Sequence, residues 1–193
     1  SLEENNLIYE YTGCVNFVGV KIIDLELDLK NSFCEDAVNF INVNGNIKSL
    51  IINNSISDAM DADFSNLTIE KIQINNAKND CLDFSFGNYE IYDGNVSLCK
   101  DKSISVGEKS KLKIKKILIN NSKIGIVSKD SSKIEIIEAD INKTDFCLAA
   151  YRKKQEFAGG SIKYKNINCS QSPSKKGAIF VQKGSSIELV DEF

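Results

Sequence analysis

The sequence predicts an all-β solenoid, and two observations support that fold class. First, stepping by 22 residues from Val38 reaches an apolar residue five more times, at Met60, Leu82, Ile104, Ile126 and Leu148. A repeat of this length is typical of solenoids, because one unit cannot bury its apolar face without a neighbour. Second, apolar residues within each unit alternate with a period of two, which indicates strands, and no stretch keeps a helical period. The sequence therefore predicts a right-handed parallel β-helix of about seven coils.

The repeat also divides the chain. Residues 1–35 contain extended segments but fit the period poorly, so we expect an irregular N-terminal β region there that continues coils lying upstream. Residues 36–193 are expected to form the regular parallel β-helix. The period weakens after Leu148, where residues 151–160 and 169–177 lengthen two coils. These two segments are predicted to be loops that project from the stack.

Two further apolar columns and a polar one predict the second strand of each coil. One apolar column comprises Ile47, Ile69, Ile91, Ile114, Ile136 and Ile162, and the other comprises Ile52, Ile74, Val96, Ile119, Ile141 and Ile167. The polar column follows directly and comprises Asn53, Asn75, Ser97, Asn120, Asn142 and Asn168. Amides stacked at one corner can bond the copies above and below, which predicts an asparagine ladder. Ordinary Asn turns are the alternative.

Composition removes several kinds of site. The chain has no His, so a His-dependent catalytic triad is excluded within it, and a zinc site is not expected. The six cysteines show no metal-like spacing. Cys81 and Cys147 share a column but lie three coils apart, about 14 Å, which is too far for a disulfide. Most cysteines are therefore expected to be free thiols, with Cys14 and Cys34 the one pair to test.

Charge is divided along the chain. Residues 1–99 carry 16 Asp and Glu against 5 Lys, a net of −11, whereas residues 100–193 carry 11 acidic against 19 basic residues, a net of +8; together these give the overall −3. In a linear stack this division produces an acidic end and a basic end. An anion-binding surface in the second half is one interpretation, and compositional drift is the other.

Outward-facing residues of the first strand form columns of their own. If Val38 and Phe40 point inward, their neighbours should point outward. The first outer column is small throughout: Ala37, Ala59, Cys81, Ser103, Gly125 and Cys147. The same reasoning gathers five carboxylates on two adjacent coils: Asp58, Asp61, Asp63, Asp80 and Asp83. Stacked like charges are destabilising, so Ca²⁺ is the candidate ion for this cluster. The alternative is that the corner aspartates accept backbone N–H bonds and the others are solvated.

Basic and aromatic residues lie further along the same face. Lys129, Tyr151, Arg152 and Lys153 are the candidate ligand-binding residues. Arg152 is the only arginine in the chain, and its planar guanidinium suits two-point binding of a carboxylate, such as that of a sugar acid. A solvated, lysine-rich loop is the alternative. If the chain were an enzyme, Lys102 would be the base nearest to the carboxylates.

The repeats resemble those of right-handed parallel β-helix proteins of the pectate-lyase-like class. Residues 101–108 (DKSISVGE), 124–130 (IGIVSKD) and 150–157 (AYRKKQEF) resemble β-helix domains attached to bacterial envelope or CotH-type proteins. Lyases of the wider class use Ca²⁺ held by carboxylates with a Lys or Arg base, and epimerases commonly use a His-bearing motif. This chain has neither His nor an Arg beside its aspartates, which weakens the case for an enzyme.

The leading prediction is a non-catalytic β-helix domain of a larger bacterial envelope or secreted protein. It would present a flat face to an acidic polysaccharide or to a neighbouring domain. Neither nucleic-acid binding nor a membrane segment is expected. The runner-up is a Ca²⁺-dependent lyase acting on an acidic polysaccharide, and the third possibility is a structural spacer.

Overall fold

The computed structural model describes residues 11–171 and 178–193 and forms a parallel β-solenoid of about 8 turns. Its described residues contain strands, turns and bends but no helix. The strands are β1 (Gly13–Val18), β2 (Lys21–Ser32), β3 (Asp36–Ile41), β4 (Asn44–Ser55), β5 (Asp58–Asp63), β6 (Asn66–Ala77), β7 (Leu82–Ser85), β8 (Asn88–Gly107), β9 (Lys111–Lys129), β10 (Lys133–Tyr151), β11 (Ser161–Gln171), β12 (Ile179–Val181) and β13 (Ser186–Leu189). The predicted all-β solenoid is therefore confirmed, with about one coil more than expected.

Each coil contributes to two stacks of parallel strands. The short-strand stack runs through β1, β3, β5 and β7 and continues in the C-terminal halves of β8, β9 and β10, with β12 at its end. The long-strand stack runs through β2, β4 and β6, then the N-terminal halves of β8, β9 and β10, and then β11 and β13. Strands β8 to β10 continue through the corner between the stacks, so each belongs to both.

The core lies between the two stacks and consists of the predicted columns. Val38, Met60, Leu82, Ile104, Ile126 and Leu148 are in register and at most 1% exposed. The other columns are confirmed as far as β10, but two predicted members were wrong. Tyr164 pairs with Ile136, and Cys169 pairs with Ile141, where Ile162 and Ile167 were expected. The loop after β10 makes this step 28 residues long, so a repeat of about 22 misplaces the residues beyond that loop.

The first coil lies within the predicted irregular region and pairs as the later coils do. Val15 is opposite Val38 and Phe17 is opposite Phe40, a step of 23 residues. Within residues 11–35, the pairing of β2 with β4 has register shifts between Ile22 and Glu26. Residues 1–10 of that region, and 172–177 of the second predicted loop, lie outside the described residues. No strand covers residues 152–160, and Tyr151 is the last residue of β10.

Asparagine ladders are present, but in columns other than the predicted one. Asn54 and Asn76 each donate a side-chain hydrogen bond to the Asn one coil below, over 2.9 and 2.8 Å. Asn66 and Asn88 do the same at the start of the long strands, both over 2.8 Å. In the predicted column, Ser97 bonds Asn75, whereas Asn142 turns to Asp140. Asn168 was misplaced, because it pairs with Asp140 rather than Asn142. The backbone of Asn54 and Asn76 is left-handed, a conformation that Asn tolerates at corners.

All six cysteines form disulfides, so the expectation of free thiols was wrong. The pairs are Cys14–Cys34, Cys81–Cys99 and Cys147–Cys169. Sequence spacing singles out only the first of these. All three close a single coil upon itself, joining the start of a short strand to the end of the long strand that follows, or to a residue just beyond it. This geometry also corrects the position of the small column. Ala37, Ala59, Cys81, Ser103 and Cys147 are at most 1% exposed and line the interior corner where the two stacks meet.

No helix among the described residues is long and apolar enough to cross a membrane.

Candidate functional site

The outer face of the short-strand stack carries most of the predicted site residues. Three columns make up this face. The corner column contains Asp36, Asp58, Asp80 and Lys102; the middle column contains Asn39, Asp61, Asp83, Ser105, Val127 and Ala149; the third contains Ile41, Asp63, Ser85, Gly107, Lys129 and Tyr151. The register thus brings the five predicted aspartates together on β5 and the coil above it.

Two of the corner aspartates hold the next coil in place. Asp58 accepts a hydrogen bond from the backbone N–H of Asp80 over 2.8 Å, and Asp80 accepts one from the backbone N–H of Lys102 over 2.9 Å. Asp36, one coil lower, accepts a hydrogen bond from the Thr12 hydroxyl. Corner carboxylates therefore have structural partners, as the backbone-acceptor alternative proposed. The donors to Asp58 and Asp80 belong to the following coil, whereas the Thr12 donor to Asp36 belongs to the preceding one.

The middle column, by contrast, contains buried polar atoms without hydrogen-bond partners. Asn39 and Ser105 are at most 4% exposed, yet Asn39 Oδ1 and Ser105 Oγ have no hydrogen-bond partner, and neither has Asp83 Oδ1. No described residue donates a hydrogen bond to Asp61. Burial, together with the charges of Asp63 and Asp83, raises the pKa of Asp61 to about 8. The centre of the acidic cluster is therefore a carboxyl that retains its proton at neutral pH.

The calcium hypothesis places an ion among these carboxylates. In the described residues, however, no three acidic or cysteine side chains converge closely enough to hold a metal ion. Carboxylate oxygens are the ligands that Ca²⁺ prefers, and six to eight must converge on it at about 2.4 Å. The carboxylates are suitable calcium ligands, but they lie too far apart in this structure to bind one ion together. Calcium binding at Asp58, Asp61, Asp63, Asp80 and Asp83 therefore stays a prediction.

Lys102 lies where the charge of the outer face changes sign. Its ammonium group contacts Asp80 over 3.3 Å and also contacts Asp101, and only 16% of its side chain is exposed. Burial alone would lower the pKa of Lys102, but the hydrogen bond that its ammonium donates to Asp101 and the charge of Asp80 raise it above its usual value. A lysine that holds its proton this firmly is poorly suited to act as a base.

Above Lys102, Lys129 and Lys154 have carboxylate partners. The Lys129 side chain lies across Gly107, where a Cβ atom would approach its Cε to 2.8 Å, and its Nζ reaches Asp83 two coils away over 3.7 Å. Glu108 accepts hydrogen bonds from Ser85 and Lys154, each over 2.6 Å. Although burial raises the pKa of Glu108, these hydrogen bonds and the charge of Lys129 hold it below the usual value. Lys129 is therefore an internal ion-pair partner and only 5% exposed.

Tyr151 and Arg152 line a pocket of about 410 Å³ at the upper end of the outer face. Its other walls are Ile124, Phe146, Ala149, Phe180 and Gln182. The ring of Phe180 meets that of Phe146 at 5.9 Å and that of Tyr151 at 6.4 Å. The backbone N–H of Arg152 donates to Gln182 Oε1 over 2.7 Å, while the residue itself is exposed. No described carboxylate forms an ion pair with its guanidinium.

The structure therefore separates the four predicted ligand residues. Tyr151 and Arg152 share the pocket, whereas Lys129 is buried. Lys153 does not line the pocket, and its backbone N–H donates to Asp130 Oδ1 over 2.7 Å. Sequence reasoning missed Phe180 and Gln182, because the lengthened coils before them hide their register. Phe146 continues the corner column of Lys102 and Ile124, and its aromatic character there was the available signal.

Comparison with known proteins found no family model that matches the chain, and no match among the curated proteins or the solved structures.

Proposed function

We propose that the chain is a non-catalytic carbohydrate-binding domain of an envelope or secreted protein, and that it binds an acidic polysaccharide. The aromatic pocket beside Arg152 is the observation that carries this proposal. An apolar pocket with a few placed polar groups is the usual form of a small-ligand site. Its aromatic walls suit the apolar faces of a sugar ring. The exposed guanidinium of Arg152 suits the carboxylate of a sugar acid, which it can bind at two points.

The disulfides support the proposed compartment. Three pairs that use every cysteine of the chain are typical of proteins that fold in an oxidising environment, such as the periplasm or the exterior of a cell. In a reducing cytosol such pairs are rare. An extracytoplasmic address brings the domain into contact with envelope and extracellular polysaccharides.

The lyase alternative receives less support from the geometry. Its base would have to remove a proton from the sugar, yet Lys102 is held protonated between Asp80 and Asp101. Lys129 is the other lysine near the carboxylates, and its ammonium group already faces Asp83. For this reason we favour binding without cleavage.

The test is a calorimetric titration of the protein with a trisaccharide of galacturonic acid. Wild type should bind, and Arg152→Ala should bind about tenfold or more weakly, because a charge-assisted hydrogen bond contributes about 1.5–3 kcal/mol. Arg152→Lys keeps the charge but loses the two-point geometry, so it should restore only part of the affinity. Lys183→Ala, an exposed site in the last turn, is the control that should bind as wild type does.

Cleavage is monitored in the same samples by near-ultraviolet absorbance. Accumulation of an unsaturated product would replace the proposal with the lyase alternative. Absence of both binding and product, for the trisaccharide and for its polymer, would favour a structural spacer.

A further inference from the structure

Four lysines line a groove of about 610 Å³ at the corner between the long-strand and short-strand stacks. We call Lys78, Lys100, Lys123 and Lys143 the basic corner. The groove is also lined by Asn76, Leu98, Cys99 and Asn121, among others. Nothing in the proposed pocket uses these residues. All four lysines are exposed, so their ammonium groups can meet a ligand.

Three of the lysines stack on successive coils. Ala77, Cys99 and Ser122 pair in register, and Lys78, Lys100 and Lys123 directly follow them. Adjacent coils are about 4.8 Å apart, which places the first and third backbone positions about 10 Å from each other. That span is comparable to the screening length at physiological salt, so the three charges repel one another.

The protein offsets part of this repulsion, since Asp145, which follows Lys123 one coil higher in the same column, also lines the groove. Of the four lysines, only Lys123 forms an ion pair with a described residue, to Asp101 over 3.3 Å. Elsewhere on the same coils, lysines do have acidic partners: Lys116 contacts Glu138 over 3.1 Å, and Lys102 contacts Asp80 over 3.3 Å. A ligand with regularly spaced negative charges would therefore stabilise the basic corner.

The groove adjoins the aromatic pocket. Lys123 lies in the groove and the next residue, Ile124, lies in the pocket; one coil higher, Asp145 lies in the groove and Phe146 in the pocket. A polymer that leaves the pocket can thus continue down the corner without crossing another element. Cys99 lines the groove, and its disulfide to Cys81 fixes the corner that carries Lys100.

We infer that the basic corner is an extended binding track for the acidic polysaccharide, continuing from the Tyr151–Arg152 pocket along the axis of the solenoid. This inference rests on the proposed function. A carboxylated or sulfated linear polysaccharide fits because its charges recur along an extended chain, as the lysines do. The disulfides indicate that the domain works outside the reducing cytosol. We therefore favour a polysaccharide, which is a component of envelopes and extracellular material, over a nucleic acid.

Ligand length is the experimental variable. Wild type is compared with the triple variant Lys78→Ala, Lys100→Ala, Lys143→Ala, which leaves the Lys123–Asp101 pair intact. The probes are the galacturonic acid trisaccharide and polygalacturonate. The triple variant should bind the polymer about tenfold or more weakly, with a shallower dependence on salt, because fewer charges are neutralised. Its affinity for the trisaccharide, which fills only the pocket, should not change.

The matched control is Lys113→Ala, Lys133→Ala, Lys163→Ala, which removes the same charge from exposed positions on the long-strand stack. It should bind the polymer as wild type does. Thermal unfolding of each variant checks that the fold is kept.

The outcomes separate the two proposals. If the triple variant retains the polymer while Arg152→Ala loses it, the track is refuted and the pocket stands. If the triple variant loses the polymer while Arg152→Ala retains it, the track stands and the pocket does not. An equal loss in the control would show only general charge attraction and would refute the track. Tighter binding of a single-stranded DNA oligonucleotide at the same salt would refute the polysaccharide as its occupant.

Discussion

The two ends of the outer face use the same strand geometry but treat charge in opposite ways. At the acidic end, Asp61 and Asp63 lie beside other carboxylates, and no described lysine or arginine forms an ion pair with either. At the basic end, buried ammonium groups have carboxylate partners: Lys129 reaches Asp83, and Lys102 reaches Asp80. The register of a solenoid places like residues above one another, so the sequence of each coil decides whether charges are neutralised or accumulate.

This difference assigns different tasks to the two ends. At the basic end, Lys102 and Lys129 are neutralised by Asp80 and Asp83, whereas Arg152 and the basic corner are exposed to a ligand. The acidic end has carboxyls without cations, so it must respond to protons or to added cations. Four predictions test this contrast, and they run from the largest expected effect to the smallest.

The Cys81–Cys99 disulfide closes the coil at which the charge changes sign, between Asp80 and Lys102. Replacing both cysteines with Ser should lower the free energy of unfolding by about 3 kcal/mol, as expected for a loop closed over 18 residues. Denaturant unfolding measures this loss. The control removes Cys14–Cys34, which spans 20 residues but lies in the first described coil, where local fraying should make the loss smaller. Equal losses would mean that position in the stack does not matter.

Lys102 is the boundary between the two ends. Lys102→Ala leaves Asp80 buried without its cation, which should lower the free energy of unfolding by about 2 kcal/mol at pH 7. Lys102→Met, which keeps much of the volume but not the charge, should cost nearly as much. Exposed Lys116, whose partner Glu138 is also exposed, provides the control, and Lys116→Ala should change stability by less than about 0.5 kcal/mol. Equal effects at the two sites would show that burial of the boundary pair is unimportant.

Asp61 makes the acidic end sensitive to pH. Its pKa is raised from 3.8 to about 8 in the folded protein, so the folded state holds this proton more tightly than the unfolded state does. The contribution of Asp61 to stability should therefore fall as pH rises from about 4 to about 8. Above that range, its contribution should change little. Asp61→Asn removes the ionisation, and it should be more stable than wild type at pH 8.5, by about 1 kcal/mol, but equal at pH 4.

Thermal unfolding across this range, with Asp93→Asn as an exposed control, tests the sign. A variant that is less stable than wild type at pH 8.5 would show that the Asp61 carboxylate is stabilising. Glu108 should not contribute to this slope, since its pKa is lowered, whereas Asp80 should add to it because burial raises its pKa to about 6.

The sequence was sufficient to predict the columns of the core, because a single period links Val38 to Leu148 through strands without insertions. It also gathered the aspartates correctly, since outward residues follow the same period. It did not predict the disulfides between Cys81 and Cys99 or between Cys147 and Cys169. The period compares positions in different coils, whereas these bonds close one coil, a contact that depends on how sharply the chain turns between the stacks.

The partners of the site residues depend on details that no period contains. Lys129 was predicted as a ligand residue. Because Gly107 has no side chain, however, the Lys129 side chain packs across it and its ammonium group reaches Asp83. Asp58 and Asp80 were gathered correctly, but their donors are backbone N–H groups of the coil above. Phe180 joins the pocket through β12, and its register follows lengthened coils. The predicted and observed partners of the site residues thus differ because of insertions, the reach of long side chains and hydrogen bonds from backbone donors.

Calcium should give the smallest effect of the four, and it acts on the acidic end alone. Millimolar Ca²⁺ should raise the stability of wild type at pH 8.5, where Asp61 is largely ionised, by about 0.4 kcal/mol when its concentration equals the dissociation constant. At pH 5 the gain should disappear, because a protonated carboxyl is a poor ligand. Asp61→Asn combined with Asp83→Asn should abolish the gain, whereas Asp93→Asn should not.

Since the carboxylates do not converge in this structure, binding requires them to move together, which keeps the affinity weak. Differential scanning calorimetry with Ca²⁺ and with Mg²⁺ measures the gain. An equal gain with both ions would indicate general screening of the carboxylates, and no gain with either would leave Asp58 and Asp80 as backbone acceptors that need no metal.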